Sequence, residues 1–340
     1  MTIHAMTSQA VGEIIAARTG TPPADLQLER KRFGGAEATE TAVVTARYLD
    51  GRNRPAMLRV VVKHLEGRPA REAAVYRNLV AEHAAEMAPE LLHVRMLGPD
   101  SALMFLEAVR RINAWPWRDP AAADGMLAQL GRFHAAVGES DIALPEWNFE
   151  KEIASMAHGA EWMLDEHRKN PELAELTRDL RKVGRIAEAM PRLRRQLLAE
   201  KPFGCRPIHG DVHPGNALVR RRRGRHEPVL IDWGRARLGS PLEDLSNWLQ
   251  SLHFWEAEAQ RLHDTYFSRY LSAFGMPRRL TADIRAAYWI AGASNALAGA
   301  LLHHLVIVAD PQQRKADRTT SFQAARHWLR VIRRANAWTM

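Results

Sequence analysis

Residues 206–249 read RPIHGDVHPGNALV, RRRRGRHEP and VLIDWGRARLGSPLEDLSNWL, and this stretch decides the fold. Two short apolar runs, 216–219 and 228–231, flank a polar turn around Gly224, a pattern that suits a buried β-hairpin. Asp211 and Asn216 stand before the first run, and Asp232 directly follows the second. Pairing the runs therefore predicts that the three side chains meet in one cluster. Asp, Asn, Pro and Gly make turns without any chemistry, but turn formation does not explain a second carboxylate placed after the next apolar strand.

Phosphoryl transfer needs such a cluster. Nucleotide phosphates are anionic, and hard Mg²⁺ ions, which prefer oxygen ligands, must neutralise them while the acceptor hydroxyl is aligned. In this reading Asp211 accepts the hydroxyl proton, while Asn216 and Asp232 hold the metals. The Asp-to-Asn spacing is that of a kinase catalytic loop.

The stretch resembles the aminoglycoside phosphotransferase and choline kinase superfamily, whose signature is HGDxHxxN followed by a strand and IDW. His209, Gly210, Asp211, His213, Asn216, Ile231, Asp232 and Trp233 match it, and Gly239, Pro241 and Asp244 fit the usual continuation. The resemblance implies an α+β, protein-kinase-like bilobal fold. Residues 1–107 would form a nucleotide-binding lobe with a five-stranded antiparallel sheet and a helix, and residues 108–340 a larger, mainly α-helical catalytic and substrate lobe. It also implies that His209 is a structural hydrogen-bonding residue, with His213 similar, and that Asp244 braces the loop or caps a helix.

Composition agrees with a folded globular chain: 340 residues, 46% hydrophobic and 26% charged. The single cysteine, Cys205, excludes an intramolecular disulfide and a cysteine-rich zinc site, and is read as buried packing. The first twenty residues lack an apolar core behind a basic end, so no secretory signal is visible and a cytoplasmic enzyme is expected. Residues 286–309 contain no Asp, Glu, Lys or Arg, which makes them a membrane-span candidate by length. Ser294, Asn295, His303 and His304 would be costly in lipid, so a buried helix is expected instead. The net charge of +9 invites a nucleic-acid reading, but no recognised reading module accompanies it. The basic run at 220–225 is read as a solvated hairpin tip.

Upstream, 8–18 suits a short amphipathic helix capped by Ser8, and 26–33, 39–48 and 56–63 suit three strands of a meander. Gly34 and Gly35, in the first turn, would let backbone amides approach phosphate oxygens. Lys63 ends an apolar strand, and Glu72 sits beside Val75, Tyr76 and Leu79 on a helix over 71–86. The kinase reading has Lys63 contact the α and β phosphates and Glu72 hold it. Two more strands, 91–97 and 102–106, complete the sheet. Leu106, Glu107 and Val109 lie in the expected hinge, whose backbone would meet the nucleotide base.

Beyond the hinge, Trp115-Pro116-Trp117 reads as loop packing, and 121–137 as a helix with His134 as a core residue. Residues 150–198 are rich in helix formers, with Pro171 and Pro191 as starts or breaks. Helices are expected over 242–253, 256–274, 281–308 and 321–334.

The expected reaction is Mg²⁺-dependent transfer of the γ-phosphoryl group of ATP or GTP to a hydroxyl of a small molecule, an antibiotic such as an aminoglycoside or a metabolite. The Arg333-Arg334 terminus departs from the acidic one usual in enzymes of polycationic aminoglycosides, which favours a neutral or anionic acceptor. A second class stays open, a non-catalytic nucleotide-binding protein of kinase fold with a regulatory or assembly role. The intact Lys63, Glu72, Asp211, Asn216 and Asp232 set argues against it. A protein kinase fits less well, because IDW stands where DFG would and no APE follows.

Overall fold

Period-two alternation in 40–49 and 55–66 sets the sheet, and a computed structural model gives its neighbours. The structure describes residues 2–33, 38–109, 120–138, 142–167, 171–222, 225–254 and 259–337. The chain divides into two compact units. The first takes Met1–Trp115, Ile142–Pro145 and Leu218–Gly234; the second takes Pro116–Asp141, Glu146–Ala217 and Arg235–Met340.

In the first unit, α1 (Ile3–Thr19) precedes β1 (Ala24–Phe33), β2 (Glu40–Leu49), β3 (Pro55–Glu66), β4 (Leu91–Gly98) and β5 (Ser101–Glu107). The strands form one antiparallel sheet in the order β1-β2-β3-β5-β4. The β2–β3 turn follows from Asp50, whose carboxylate accepts the Arg52 and Arg54 amides, and from Asn53, which takes the left-handed conformation with φ 56. One sheet face buries Val44, Val60, Val62 and Phe105 against Val11, Ile14 and Ile15 of α1. Each large α1 side chain so buried contributes on the order of 1.5–3 kcal/mol, so this face holds the helix in place. The helix begins earlier than expected, because Thr2 rather than Ser8 caps it, accepting the Ala5 amide at 3.3 Å. Both residues are good caps; the extra turn buries Thr7 and so wins.

The other sheet face carries Lys63, opposite Thr41 on β2 and Met104 on β5. By alternation Val43, Val61 and Leu106 share that face. The expected helix over 71–86 is helical throughout 68–84, but in three forms: a 3₁₀ turn at Arg68–Arg71, α2 at Glu72–Val75, and a π-helical stretch at Tyr76–Ala84. The wider π turn sets Val75 over Val80 and Leu79 over Ala84, all buried.

The hairpin of β7 (Ala217–Arg222) and β8 (Arg225–Leu230) belongs largely to this unit. The Leu230 amide donates to the Met87 carbonyl at 2.7 Å. Arg220 corrects the expectation of a fully solvated basic tip. Its guanidinium donates to Glu107 Oε2 at 3.0 Å and to the Glu86 carbonyl at 2.8 Å, because the strand direction turns it inward toward the hinge.

The second unit is mainly helical, with α3 (Pro120–Val137), α4 (Phe149–Glu166), α5 (Pro171–Ala174), α6 (Leu180–Ala199), α7 (Pro241–Leu252), α8 (Ala259–Ala273), α9 (Ala282–Asn295), α10 (Leu301–Ala309) and α11 (Lys315–Asn336). A two-stranded antiparallel pair, β6 (Arg206–Ile208) with β9 (Arg237–Gly239), was not foreseen. Leu164, Ile186, Leu297, Leu301 and Trp328 lie in its main core.

Pro191 does not break the chain; it sits inside α6. Val183, Ile186, Met190, Leu193 and Leu197 are all buried along one side of that helix, and the proline ring points outward. Their burial outweighs the roughly 3 kcal/mol that an interior proline costs. The expected single helix over 281–308 is instead interrupted by a π-helical segment, Ala296–Ala300, where Gly299 adopts φ 140. Residues 282–309 are long and apolar enough to cross a membrane by length and composition, and half of their most apolar window is buried within the unit. Cys205 is half-buried rather than buried, since it lies on the short link from α6 into β6.

Candidate functional site

The first unit brings together three of the expected residues. Lys63 Nζ donates to Glu72 Oε1 and Oε2 at 2.9 and 2.7 Å and to Asp232 Oδ1 at 3.0 Å. Strand β3 aims Lys63 off the open sheet face, the first turn of α2 supplies Glu72, and the exit from β8 supplies Asp232. Glu72 is 2% exposed and Asp232 39%. Burial alone would strip the ammonium of its charge, but the two carboxylates outweigh it and hold the Lys63 pKa above the ordinary lysine value. Burial pushes the Glu72 carboxyl upward while Lys63 pulls it down. With both oxygens accepting from the ammonium, the ionised carboxylate is the form that the geometry fits.

Asp232 holds φ at 68, a left-handed conformation that costs a non-glycine residue roughly 1–2 kcal/mol. Arg71, next to Glu72, fastens the turn behind it by donating to the Gly234 carbonyl at 2.5 Å and to the Pro145 carbonyl at 2.6 Å. The buried Trp233 indole donates to the Leu230 carbonyl at 3.0 Å. The carboxylate is thus left facing Lys63 with its backbone held on both sides.

In the expected hinge, Leu106 pairs with Val61 and with Leu91. The Glu107 amide donates to the Glu90 carbonyl at 2.9 Å, and the Val109 amide donates to the Glu107 carbonyl at 3.1 Å. Gly34 and Gly35 lie outside the described residues, as do Trp115 and Trp117.

The second unit holds Asp211 and Asn216. After β6 the loop passes through Gly210, at φ 84, into a 3₁₀ turn at Pro214–Asn216. Asn216 Nδ2 donates to the Asp211 carbonyl at 3.1 Å and to Asp211 Oδ2 at 3.0 Å. His213 Nδ1 accepts the Gly215 amide at 3.0 Å, which leaves its other nitrogen toward Asp211 Oδ2 at 3.8 Å.

Asp244 braces this loop, in line with the role that the resemblance implies. Its oxygens accept the His209 and Gly210 amides, each at 2.8 Å. His209 is fully buried, and its Nδ1 accepts the Asp211 amide at 3.2 Å. His134 Nε2 lies 3.1 Å from the same Asp244 carboxylate, and its Nδ1 lies 2.8 Å from the Tyr270 hydroxyl. Burial lowers the His134 pKa despite Asp244, so a neutral ring that donates to Asp244 and accepts from Tyr270 fits the arrangement. Burial would raise the Asp244 carboxyl, but His134, His209 and the Gly210 amide bring it below the ordinary range.

Acid should therefore loosen this support. A histidine whose folded pKa lies below its ordinary value near 6.5 contributes stability that is complete above that pH and is lost as pH falls toward the folded value. Urea unfolding between pH 7 and 5 should show stability falling with acid by up to about 1.4 kcal/mol per pH unit for each such proton. His134→Gln should flatten the slope. Asp244 acts in a lower window, its contribution being lost only as pH falls below about 3.8.

Sequence reasoning missed Tyr270, Arg206, Arg237 and Glu243. Arg206 donates to the His134 carbonyl at 2.8 Å, and Arg237 donates to the Gly210 carbonyl at 3.0 Å and to Glu243 at 3.2 Å. No local signal marked Arg237: in β9 the arginine is buried and Leu238 exposed, the reverse of what residue type suggests.

Residues 34–281 match the model of the phosphotransferase enzyme family APH. A search of curated proteins gives no match. Among solved structures, a choline kinase from Cryptosporidium parvum Iowa II shares 12% identity at TM-score 0.60, with 95% of this chain and 96% of that one covered. An amicoumacin kinase in complex with AMP-PNP, Ca²⁺ and Ami gives 14% identity at TM-score 0.58, with 98% and 96% covered. A choline/ethanolamine kinase family protein from Mesorhizobium loti gives 18% identity at TM-score 0.54, with 96% and 99% covered. These likenesses give the α+β, protein-kinase-like fold.

Proposed function

The chain belongs to the APH phosphotransferase enzyme family, and from that premise we propose that it moves the γ-phosphoryl group of ATP or GTP to a hydroxyl of a small molecule. The observation that carries this reading is the bond of one ammonium, Lys63, to two carboxylates, Glu72 on the next helix and Asp232 from 169 residues further along the sequence. Lys63 is then the cation for the α and β phosphates, and Glu72 fixes it.

Among the described residues no three His, Cys, Asp or Glu side chains converge to hold an ion by themselves. Mg²⁺ takes one or two protein oxygens and completes its shell with phosphates and water, a demand that Asp232 and Asn216 would meet. Asp232 supplies a carboxylate. Asn216 turns its amide nitrogen to Asp211, which leaves its carbonyl oxygen for a cation. Bound Mg²⁺ would neutralise phosphate charge as the γ group leaves.

Asp211 orients the acceptor hydroxyl and takes its proton late in the transfer. Asn216 and His213 both address Oδ2, so Oδ1 is the oxygen left for the acceptor. Leu106, Glu107 and Val109 line the base, Gly34 and Gly35 approach the phosphates, and Val43 and Val61 give the base an apolar wall. In this assignment 1–107 is the nucleotide-binding lobe and 108–340, which also carries Val109, Asn216 and Asp232, is the catalytic and acceptor lobe, in the cytoplasm. The basic balance of the chain favours a neutral or anionic acceptor.

A panel of antibiotics and hydroxylated metabolites, incubated with γ-labelled ATP or GTP and Mg²⁺, tests the reading and finds the acceptor. Label should pass to at least one compound. Tight Mg²⁺-nucleotide binding without transfer to any member would favour a binding protein instead.

A further inference from the structure

Three charged side chains lie in the core of the second unit with no role in the scheme above. Arg237 is 2% exposed, Glu243 1% and Arg194 6%. Glu243 divides its oxygens between two guanidinium groups: Oε1 accepts Arg194 Nε at 2.9 Å, and Oε2 accepts Arg237 Nη2 at 3.2 Å. Phe149 lies under both cations, 3.7 Å from the Arg237 guanidinium and 4.8 Å from that of Arg194. Asn295 donates to the Glu243 carbonyl at 2.7 Å, and the Ser294 hydroxyl, which donates to the Ala291 carbonyl at 2.7 Å, lies 3.4 Å from Glu243 Oε1. A buried ion cluster of this kind is no bargain for stability, since well-packed apolar residues often do as well or better. Its persistence calls for a task.

The task is visible in what Arg237 does with its other nitrogen. Because Glu243 gives Arg237 one oxygen rather than two, Nη1 is directed to the Gly210 carbonyl at 3.0 Å. That carbonyl and the Asp211 N–H belong to one planar peptide. The N–H side is held by His209 Nδ1 at 3.2 Å, so the peptide is gripped on both edges. The two preceding amides are held by Asp244. Gly210 permits this approach: its φ is 84, and a β-carbon there would run into Arg237 Nη1 and the Arg235 carbonyl. Asp244 and His209 support the loop by accepting N–H groups, and Asn216 donates only further on, to Asp211. Arg237 is the donor that fixes the carbonyl edge, and a planar guanidinium can bond Glu243 and Gly210 at once, where a lysine could not hold both in a fixed fork.

We propose that Arg237, clamped by Glu243, which Arg194 holds from the other side, is a positioning residue that sets the Gly210–Asp211 peptide and so aims the Asp211 carboxylate. The inference rests on the reading of Asp211 as the base. Loss of the clamp lets the peptide rotate, and the carboxylate leaves its productive direction while the nucleotide contacts of Lys63, Glu72 and Asp232 are untouched. A misplacement of about 1 Å at a reacting group is enough for a loss on the order of 100-fold.

The test compares wild type, Arg237→Lys and Arg237→Met, using hydrogen exchange at residues 209–211 and label-transfer kinetics on the full chain. The expected result for Arg237→Met is faster exchange of the Gly210 and Asp211 amides, a kcat lowered by about 100-fold, and a nucleotide KM within about 3-fold of wild type. Arg237→Lys should recover part of the loss. A merely structural role would lower the folded fraction and leave kcat per folded molecule unchanged, which would overturn the proposal. So would wild-type exchange at 210 and 211 in a folded variant. If Arg237→Met does not fold, Glu243→Gln keeps the arginine but weakens its clamp, and should give the same pattern at smaller size. Wild type that transfers no label counts against the phosphotransferase reading, and the exchange comparison then still decides whether Arg237 sets the loop.

Discussion

Asp211→Asn should lower kcat for phosphoryl transfer by about 10²–10⁴-fold and leave nucleotide affinity within about 3-fold of wild type. The substitution is nearly isosteric, so the effect isolates chemistry from packing. Asn216 Nδ2 donates to Asp211 Oδ2 at 3.0 Å, and an asparagine at 211 must turn its carbonyl oxygen toward that donor. Its own NH₂ then faces the acceptor, where a proton acceptor is required. Single-turnover kinetics and calorimetric nucleotide binding check the two halves separately. Full turnover in the variant would show that another group takes the proton.

The second large effect is on stability as well as activity. Lys63→Met leaves Glu72 buried, with its cation gone, and should cost on the order of 3–5 kcal/mol, read as a shift in urea unfolding. Asp232 is far more exposed and loses less, because water can replace the ammonium. Replacing Glu72 as well, in Lys63→Met/Glu72→Leu, removes the stranded carboxylate, so most of the stability should return while transfer stays absent. Lys63→Met with wild-type stability would mean that the pair does not hold together in solution. A double variant that regains activity would remove Lys63 from the phosphate site.

The residues that meet at the Lys63 ammonium were legible because each sits at a position that local rules mark. Lys63 follows an apolar run, although its strand continues to Glu66 rather than ending there as expected, Glu72 opens a helix beside its apolar side, and Asp232 follows the second strand of a hairpin. Hairpin, meander and most helices could be read the same way, from period and punctuation. What escaped was whatever depends on partners far apart in the chain. His134 has the look of a core residue on α3, and nothing local says that Asp244 and Tyr270 will close around it. Arg237 reads as one more arginine in a basic run, and only its buried partner Glu243 gives it meaning. Pro191 and Thr2 mark the opposite failure, in which a correct local rule yields to burial: a proline tolerated on the outer side of an amphipathic helix, and a cap displaced by an extra buried turn.

The most direct test follows the label. With the wild-type chain, a competent acceptor and γ-labelled nucleotide, label should appear in the small molecule only when a divalent metal is present, and should vanish from it in both Asp211→Asn and Asp232→Asn. Metal-dependent nucleotide binding with label that stays on the nucleotide, or is released only as inorganic phosphate whatever hydroxyl compound is supplied, would contradict the account.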